Sequence, residues 1–173
     1  MAEWPEPVER VAAFLRRAGA EARIEEFQEP TASAQDAANA LGAGLNQIVK
    51  TLVFDCDGRP VAVLTPGDRR ADRAKVARAA KANRAQIVGA ADVERLTGFA
   101  PGAVAPFPLP GVTRALMDRS LLLQQLVWIG AGSPRHLASL PPQELLRLTR
   151  AEPADVSETP APAAPVIETD GDR

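Results

Sequence analysis

Apolar residues at Val8, Val11, Ala12, Phe14, Leu15 and Ala18 recur at helical spacing behind Pro5 and Pro7, which predicts an amphipathic first helix stopped at Gly19. Residues 22–27 read as a short strand. Ser33 with Asp36 three positions on resembles a capping box and opens an alanine-rich helix through Leu41, closed by Gly42. Residues 47–54 are rich in β-formers, Asp57-Gly58 is a hairpin signal, and residues 60–65 supply the returning strand. A basic helix over 72–82, a short strand over 86–88 and a second short helix over 91–96 follow. Residues 112–117 and 126–131 predict strands on either side of 118–122, and Pro141-Pro142 starts a closing helix that runs to 149. Strands interleave with helices but include a hairpin, so the expected class is α/β with a mixed sheet. No internal repeat is visible.

Length and composition narrow this picture. The chain's 173 residues suffice for one domain with a proper core. Aromatics make up 4% and Tyr is absent, so the core must be built from small aliphatic side chains, and a large aromatic platform for stacking bases is excluded. The net charge of −2 is unevenly spread. Residues 151–173 hold six acids, Glu152, Asp155, Glu158, Glu168, Asp170 and Asp172, against Arg173, which leaves residues 1–150 with 16 acids and 19 bases. That last segment also alternates Pro and Ala. We read 1–150 as the folded domain and 151–173 as a disordered acidic tail, a solubilising extension in preference to a docking arm. The acidic, proline-bearing start does not read as a signal peptide, and the longest apolar stretches fall short of the ~20 residues a bilayer needs. A soluble, cytoplasmic protein with no membrane partner is the expectation.

Candidate chemistry begins with Lys50, set in the apolar run Ile48-Val49-Lys50-Thr51-Leu52-Val53-Phe54. Alternation puts Ile48, Lys50, Leu52 and Phe54 on one face, and the other face is apolar too, so the strand looks central. An ammonium desolvated there needs an anion or an oxygen. Either Lys50 lines a pocket, or it snorkels to water at a sheet margin. Residues 98–111 hold too many Gly and Pro for a helix or strand and too few polar groups for a surface linker. They form either a loop whose backbone lines a pocket or a rigid cover for the core. Gly130-Ala131-Gly132-Ser133-Pro134 could present amides to an oxyanion, although no dinucleotide-type helix start follows. The basic residues Arg69, Arg70, Arg73, Lys75, Arg78, Lys81 and Arg84 form either a solvated face or a phosphate contact; on a helix, Arg70, Arg73 and Lys81 would lie near one side.

Other chemistries lack residues. A single Cys and a single His exclude an internal disulfide framework, a thiolate zinc site and multi-histidine metal centres. Without a Gly-x-Ser-x-Gly elbow, Ser133 and His136 read as neighbours in sequence and not as parts of a hydrolase triad. Cys56, beside the Asp57-Gly58 turn, reads as an exposed, unreactive thiol.

Taken in order, Pro30-Thr31-Ala32-Ser33-Ala34, Asn46-Gln47-Ile48-Val49-Lys50-Thr51-Leu52-Val53-Phe54, Gly67-Asp68-Arg69-Arg70-Ala71-Asp72, Gly98-Phe99-Ala100-Pro101-Gly102-Ala103-Val104-Ala105-Pro106 and Gly130-Ala131-Gly132-Ser133-Pro134 resemble the motif series of the YbaK/EbsC family. These are free-standing relatives of the editing domain inserted in bacterial prolyl-tRNA synthetases, and the resemblance spans residues 8–149. It implies a curved, partly barrel-like mixed β-sheet surrounded by helices, and an aminoacyl-tRNA deacylase acting in trans on a wrongly attached small amino acid such as alanine or cysteine. Lys50 matches the family's essential lysine, associated with the substrate's 3′ end. Gly98, Gly102 and Pro106 match its pocket loop, Thr31 the hydroxyl at the pocket mouth, Asn46 the position before the glutamine of its strand motif, and Gly132 with Ser133 the last glycine motif. The chain departs from the pattern at Arg135 and His136. The implied partners are aminoacyl-tRNA, contacted through Arg69, Arg70 and Arg73, and a prolyl-tRNA synthetase; no cofactor or metal is implied. An aminoacyl ester is already activated, so a positioned water and oxyanion stabilisation suffice, and no triad is needed. The rival readings are a noncatalytic tRNA- or synthetase-binding module of the same fold, and a small-molecule esterase.

Overall fold

Among the residues that the computed structural model describes, 3–31 and 33–159, eight strands divide into two sheets with five helices around them. Helix α1 (Glu6–Arg17) comes first, followed by strand β1 (Arg23–Glu26), helix α2 (Ala34–Leu41) and a short 3-10 turn over Leu45–Gln47. The hairpin β2 (Val49–Cys56) and β3 (Arg59–Pro66) precedes α3 (Arg73–Ala80), β4 (Ala85–Ile87) and α4 (Ala90–Thr97). After the loop come β5 (Arg114–Asp118), a 3-10 turn over Arg119–Leu123, the hairpin β6 (Val127–Ser133) and β7 (His136–Leu140), α5 (Pro142–Thr149) and β8 (Glu152–Ala154). One sheet runs β1-β7-β6 and the other β4-β2-β3-β5-β8, with antiparallel pairs except for the parallel β3–β5 and β5–β8. The expected mixed α/β class is what forms. No ladder closes the two sheets into a barrel among the described residues; they meet at a parallel bridge between Ile48 and Trp128.

Local signals account for most boundaries. Glu6 and Glu9 in the first turn of α1 and Arg16 and Arg17 in the last complement its dipole, and Val8, Val11, Ala12 and Leu15 form its buried stripe. The Ser33 hydroxyl accepts from the Asp36 amide at 3.0 Å to start α2, and Gly42 ends it at φ +63°. Asp57 and Gly58 both take positive φ, as a two-residue hairpin loop requires. The core is aliphatic around Phe99 and Phe107, with Leu64, Met117, Leu121, Ile129 and Leu145 fully buried. None of the described helices is long and apolar enough to cross a membrane.

Four local expectations are corrected. The basic helix spans Arg73–Ala80: the Asp72 carboxylate caps it from outside and Lys81 ends it in the left-handed region, so Arg70 and Lys81 do not share its face. Strand β7 was not foreseen, because its residues are buried on both faces and show no alternation to read. Cys56 is buried, not exposed, and burial with the nearby Asp55 pushes its thiol pKa up, which suits an inert core residue. The domain also continues past residue 150. Strand β8 adds an edge to the larger sheet, Val156 and Ser157 are buried, and Ser157 bridges Ala71. The proline-rich remainder, 160–173, lies outside the described residues.

Asp118 holds this C-terminal segment. Its carboxylate accepts from the Ser120 hydroxyl at 2.5 Å, the Ser120 amide at 3.0 Å and the Val156 amide at 3.3 Å. Burial alone would raise its pKa, but the hydrogen bonds from Ser120 and Val156 outweigh it and hold the pKa below the ordinary value. We expect Asp118→Ala to cost about 2 kcal/mol in urea denaturation at neutral pH, by leaving buried donors without a partner. A carboxyl whose pKa is depressed on folding stabilises above its unfolded value and loses that contribution as pH falls through the folded one. The difference between wild type and variant should therefore narrow below about pH 3.9; a constant difference down to pH 2 would show that the carboxylate charge is not what binds the segment.

Candidate active site

Strand β2 leaves its sheet half covered. Strand β4 registers only against Phe54, Asp55 and Cys56, so no strand of the sheet covers that edge between Val49 and Leu52. This edge opens on a cavity of about 230 Å³ whose wall includes Ala34, Ala37, Ile48, Val104, Gly130 and Leu137. Of the residues singled out in the sequence, Thr31, Lys50, Gly102 and Ser133 line it together.

Lys50 is half-buried, and its Nζ donates to the Arg69 carbonyl oxygen at 2.7 Å. Burial, with the Arg70 guanidinium, lowers its pKa from 10.5, while Asp68 opposes the shift. An anion brought into the cavity would offset both lowering effects, so the position favours anionic or carbonyl oxygen. Thr31 is buried at the cavity, and its hydroxyl donates to the Pro134 carbonyl at 2.8 Å, which leaves oxygen lone pairs for a ligand. Gly102 takes φ +83° in an exposed turn of the loop, a conformation open to glycine without strain.

The other predicted site residues lie away from the cavity wall: Arg69 reaches it only through the carbonyl that Lys50 donates to, and Arg70 and Arg73 are exposed beside it. Gly98 is the left-handed cap of α4, and its carbonyl accepts from the Arg10 guanidinium, which also sits 4.8 Å over the Phe99 ring. Pro106 is buried on the far side of the loop, in a crevice with Phe14 and Leu148. Asn46 is exposed in the turn before β2. Gly132 is where α1 crosses β6: a Cβ there would lie 2.7 Å from the Pro7 carbonyl group. Its neighbour Gly130 is the glycine that faces the cavity, and a Cβ on it would lie 2.7 Å from the Val104 carbonyl oxygen. The motif pointed to the right turn, but the glycine on the cavity wall is Gly130, because the β6–β7 register shifts between Gly130 and Ser133 and breaks the alternation that would put Gly130 and Gly132 on one face.

The rejected Ser133–His136 pairing is a real contact. The residues face each other across the β6–β7 turn, with Ser133 Oγ 2.5 Å from His136 Nδ1. His136 is 2% exposed, its ring stands edge-on to Trp4, and its Nε2 lies 4.0 Å from a Glu26 carboxylate oxygen. Ser133 Oγ also accepts the Arg135 amide at 3.0 Å. The proximity in sequence was informative because a tight hairpin turns a three-residue separation into a cross-strand pair.

A family model described as the aminoacyl-tRNA editing domain matches residues 28–148. The proline–tRNA ligase of Nitratidesulfovibrio vulgaris (strain DP4) is 35% identical over 103 residues, 59% of this chain but 18% of the ligase. The protein YwhH of Bacillus subtilis (strain 168) is 30% identical over 123 residues, 70% of this chain and 78% of its own length. The crystal structure of a protein proposed as a trans-editing enzyme for prolyl tRNA synthetase superposes with a TM-score of 0.85 at 34% identity, covering 91% of this chain and 100% of that one.

Burial holds the His136 pKa below 6.5, with Arg135 lowering it further and Glu26 opposing. Glu26 is the group nearest Nε2, at 4.0 Å and without a hydrogen bond, so we expect the proton on Nε2 and Nδ1 accepting from Ser133. Nitrogen-detected NMR of the single histidine should therefore report the Nε2–H tautomer and a midpoint below 6.5. Because the unfolded chain then binds the proton more readily, this residue's contribution to stability should be present above pH ~6.5 and fall as pH drops towards the folded midpoint. An Nδ1–H tautomer would reverse the direction of the Ser133 hydrogen bond.

Proposed function

Because the chain belongs to the aminoacyl-tRNA editing domain family, we propose that it is a trans-editing deacylase that hydrolyses the ester of tRNA carrying a wrongly attached small amino acid, with alanine or cysteine on tRNA(Pro) as the expected substrates. The observation that carries this reading is the meeting of Lys50, Thr31, Gly102 and Ser133 on one small, otherwise largely apolar cavity. At about 230 Å³ it lies below the usual range for drug-sized ligands and suits a short side chain on an ester.

In this mechanism the acylated ribose enters beside the open edge of β2. Lys50 exchanges its contact with the Arg69 carbonyl for an oxygen of the substrate, either a phosphate or the ester carbonyl. Loop amides near Gly102 stabilise the tetrahedral oxyanion, and water activated with the help of the neighbouring ribose hydroxyl attacks the carbonyl carbon. The bond broken is the ester C–O; the free amino acid and the ribose hydroxyl leave. Thr31, whose proton is directed to the Pro134 carbonyl, and Ser133, when it donates to His136 in the Nε2–H tautomer, both present acceptor oxygens suited to a substrate ammonium. Selection is by size: Ala34, Ala37, Ile48 and Leu137 form a steric wall, which excludes a larger correct residue more sharply than an open apolar pocket would.

The test is deacylation of tRNA(Pro) charged with alanine, cysteine or proline. The alanyl or cysteinyl ester should be cleaved and the prolyl ester spared. Lys50→Ala should lower kcat/KM by about 10²–10³-fold, as loss of a single transition-state contact does, with an unchanged melting profile. Cleavage of none of the three would leave a noncatalytic binding module as the better reading. Equal cleavage of free amino acid esters would favour a general esterase.

A further inference from the structure

The face of β2 that carries Lys50 continues beyond the cavity. Lys50 and Leu52 also line a second, more open groove of about 360 Å³, which runs past Phe54 to Ile87. Ile87 is the cross-strand partner of Phe54 on β4 and is 54% exposed, an unusual position for a large aliphatic side chain. Arg70 and Arg73, both exposed, stand along the same groove, and Glu158 closes its rim, its amide donating to the Arg70 carbonyl at 2.7 Å. The strand positions from Lys50 to Phe54 extend about 13 Å.

Resting on the deacylase reading, we propose that this groove holds the unpaired nucleotides immediately before the acylated terminal nucleoside, so that the cavity takes the ester and the groove takes the single strand leading to it. The argument is one of continuity and chemistry. A strand whose end lies at Lys50 must leave the cavity, and this groove shares Lys50 and Leu52 with it. Guanidinium groups at Arg70 and Arg73 pair with phosphate oxygens in a forked geometry, and the exposed Ile87, beside the half-buried Leu52 and over the buried Phe54, offers bases an apolar contact. The groove is short and one-sided, which fits single-stranded RNA. Arg69 is not part of it; it serves through its carbonyl, which orients Lys50. The Glu158 carboxylate opposes the phosphates and limits affinity. The groove therefore binds through backbone charge and base contact, with little discrimination between sequences.

The test uses the full chain and fluorescence anisotropy with two labelled RNA hairpins, one ending in a single-stranded 3′ CCA and one blunt. Wild type should prefer the overhang. Ile87→Asp, at an exposed position, should weaken that binding about tenfold, and Glu158→Gln should strengthen it about threefold. In parallel, kcat/KM on mischarged tRNA is divided by kcat/KM on a 3′-aminoacyl adenosine, which reaches the cavity alone; this ratio should fall with Ile87→Asp and rise with Glu158→Gln. Affinities and ratios within twofold of wild type for both variants would overturn the groove while leaving the deacylase intact. The expected binding pattern with no cleavage of either ester would overturn the deacylase while leaving the groove.

Discussion

A lysine amine placed within an apolar β-strand has to find an oxygen, and the chain around Lys50 is arranged to supply one. The Arg69 carbonyl takes that role at 2.7 Å, and it is available because the segment after β3 passes back over the strand. Half burial lowers the pKa of the amine, and the positive charge of Arg70 adds to that effect. The site is thus held in a state that a negatively charged ligand relieves. Leucine at this position would pack without any such tension, at the loss of the one cationic group facing the cavity among the described residues.

The cavity exists because two backbones are allowed to approach where side chains would hold them apart. Gly130 lets β6 meet the loop at Val104, and Gly132 lets α1 cross the same strand at Pro7 and Val8. Arg10 then ties α1 to the start of the loop through the Gly98 carbonyl and the Phe99 ring. The smaller sheet, the first helix and the loop are fixed to one another in this way, and the exposed edge of β2 is left facing the gap. A short β4 matters as much as any single residue: a longer one would cover the edge between Val49 and Leu52.

The C-terminal segment shows how a local composition can mislead. Residues 151–158 are acidic and contain proline, yet they form an edge strand and a buried anchor, because Asp118 supplies acceptors and the edge of β5 supplies a ladder. Pro153 is tolerated at that edge, where a missing amide costs least. None of these partners is near in sequence, so no window over the segment could have revealed them.

Helix starts and stops, the Asp57-Gly58 hairpin and the mixed α/β class were legible in the sequence, because caps, turn residues and amphipathic periodicity act within a few residues of one another. Lys50 stood out for the same kind of reason, as a charge inside a local apolar run. What only the folded chain decided was which residues share a wall: Gly130 and not Gly132, Val104 and not Pro106, Ser133 joined to His136, and Cys56 turned inward. Those outcomes depend on the register shift in β6, on helix crossing and on contacts between residues far apart in the chain, and a linear pattern carries no information about where a distant backbone will come to lie.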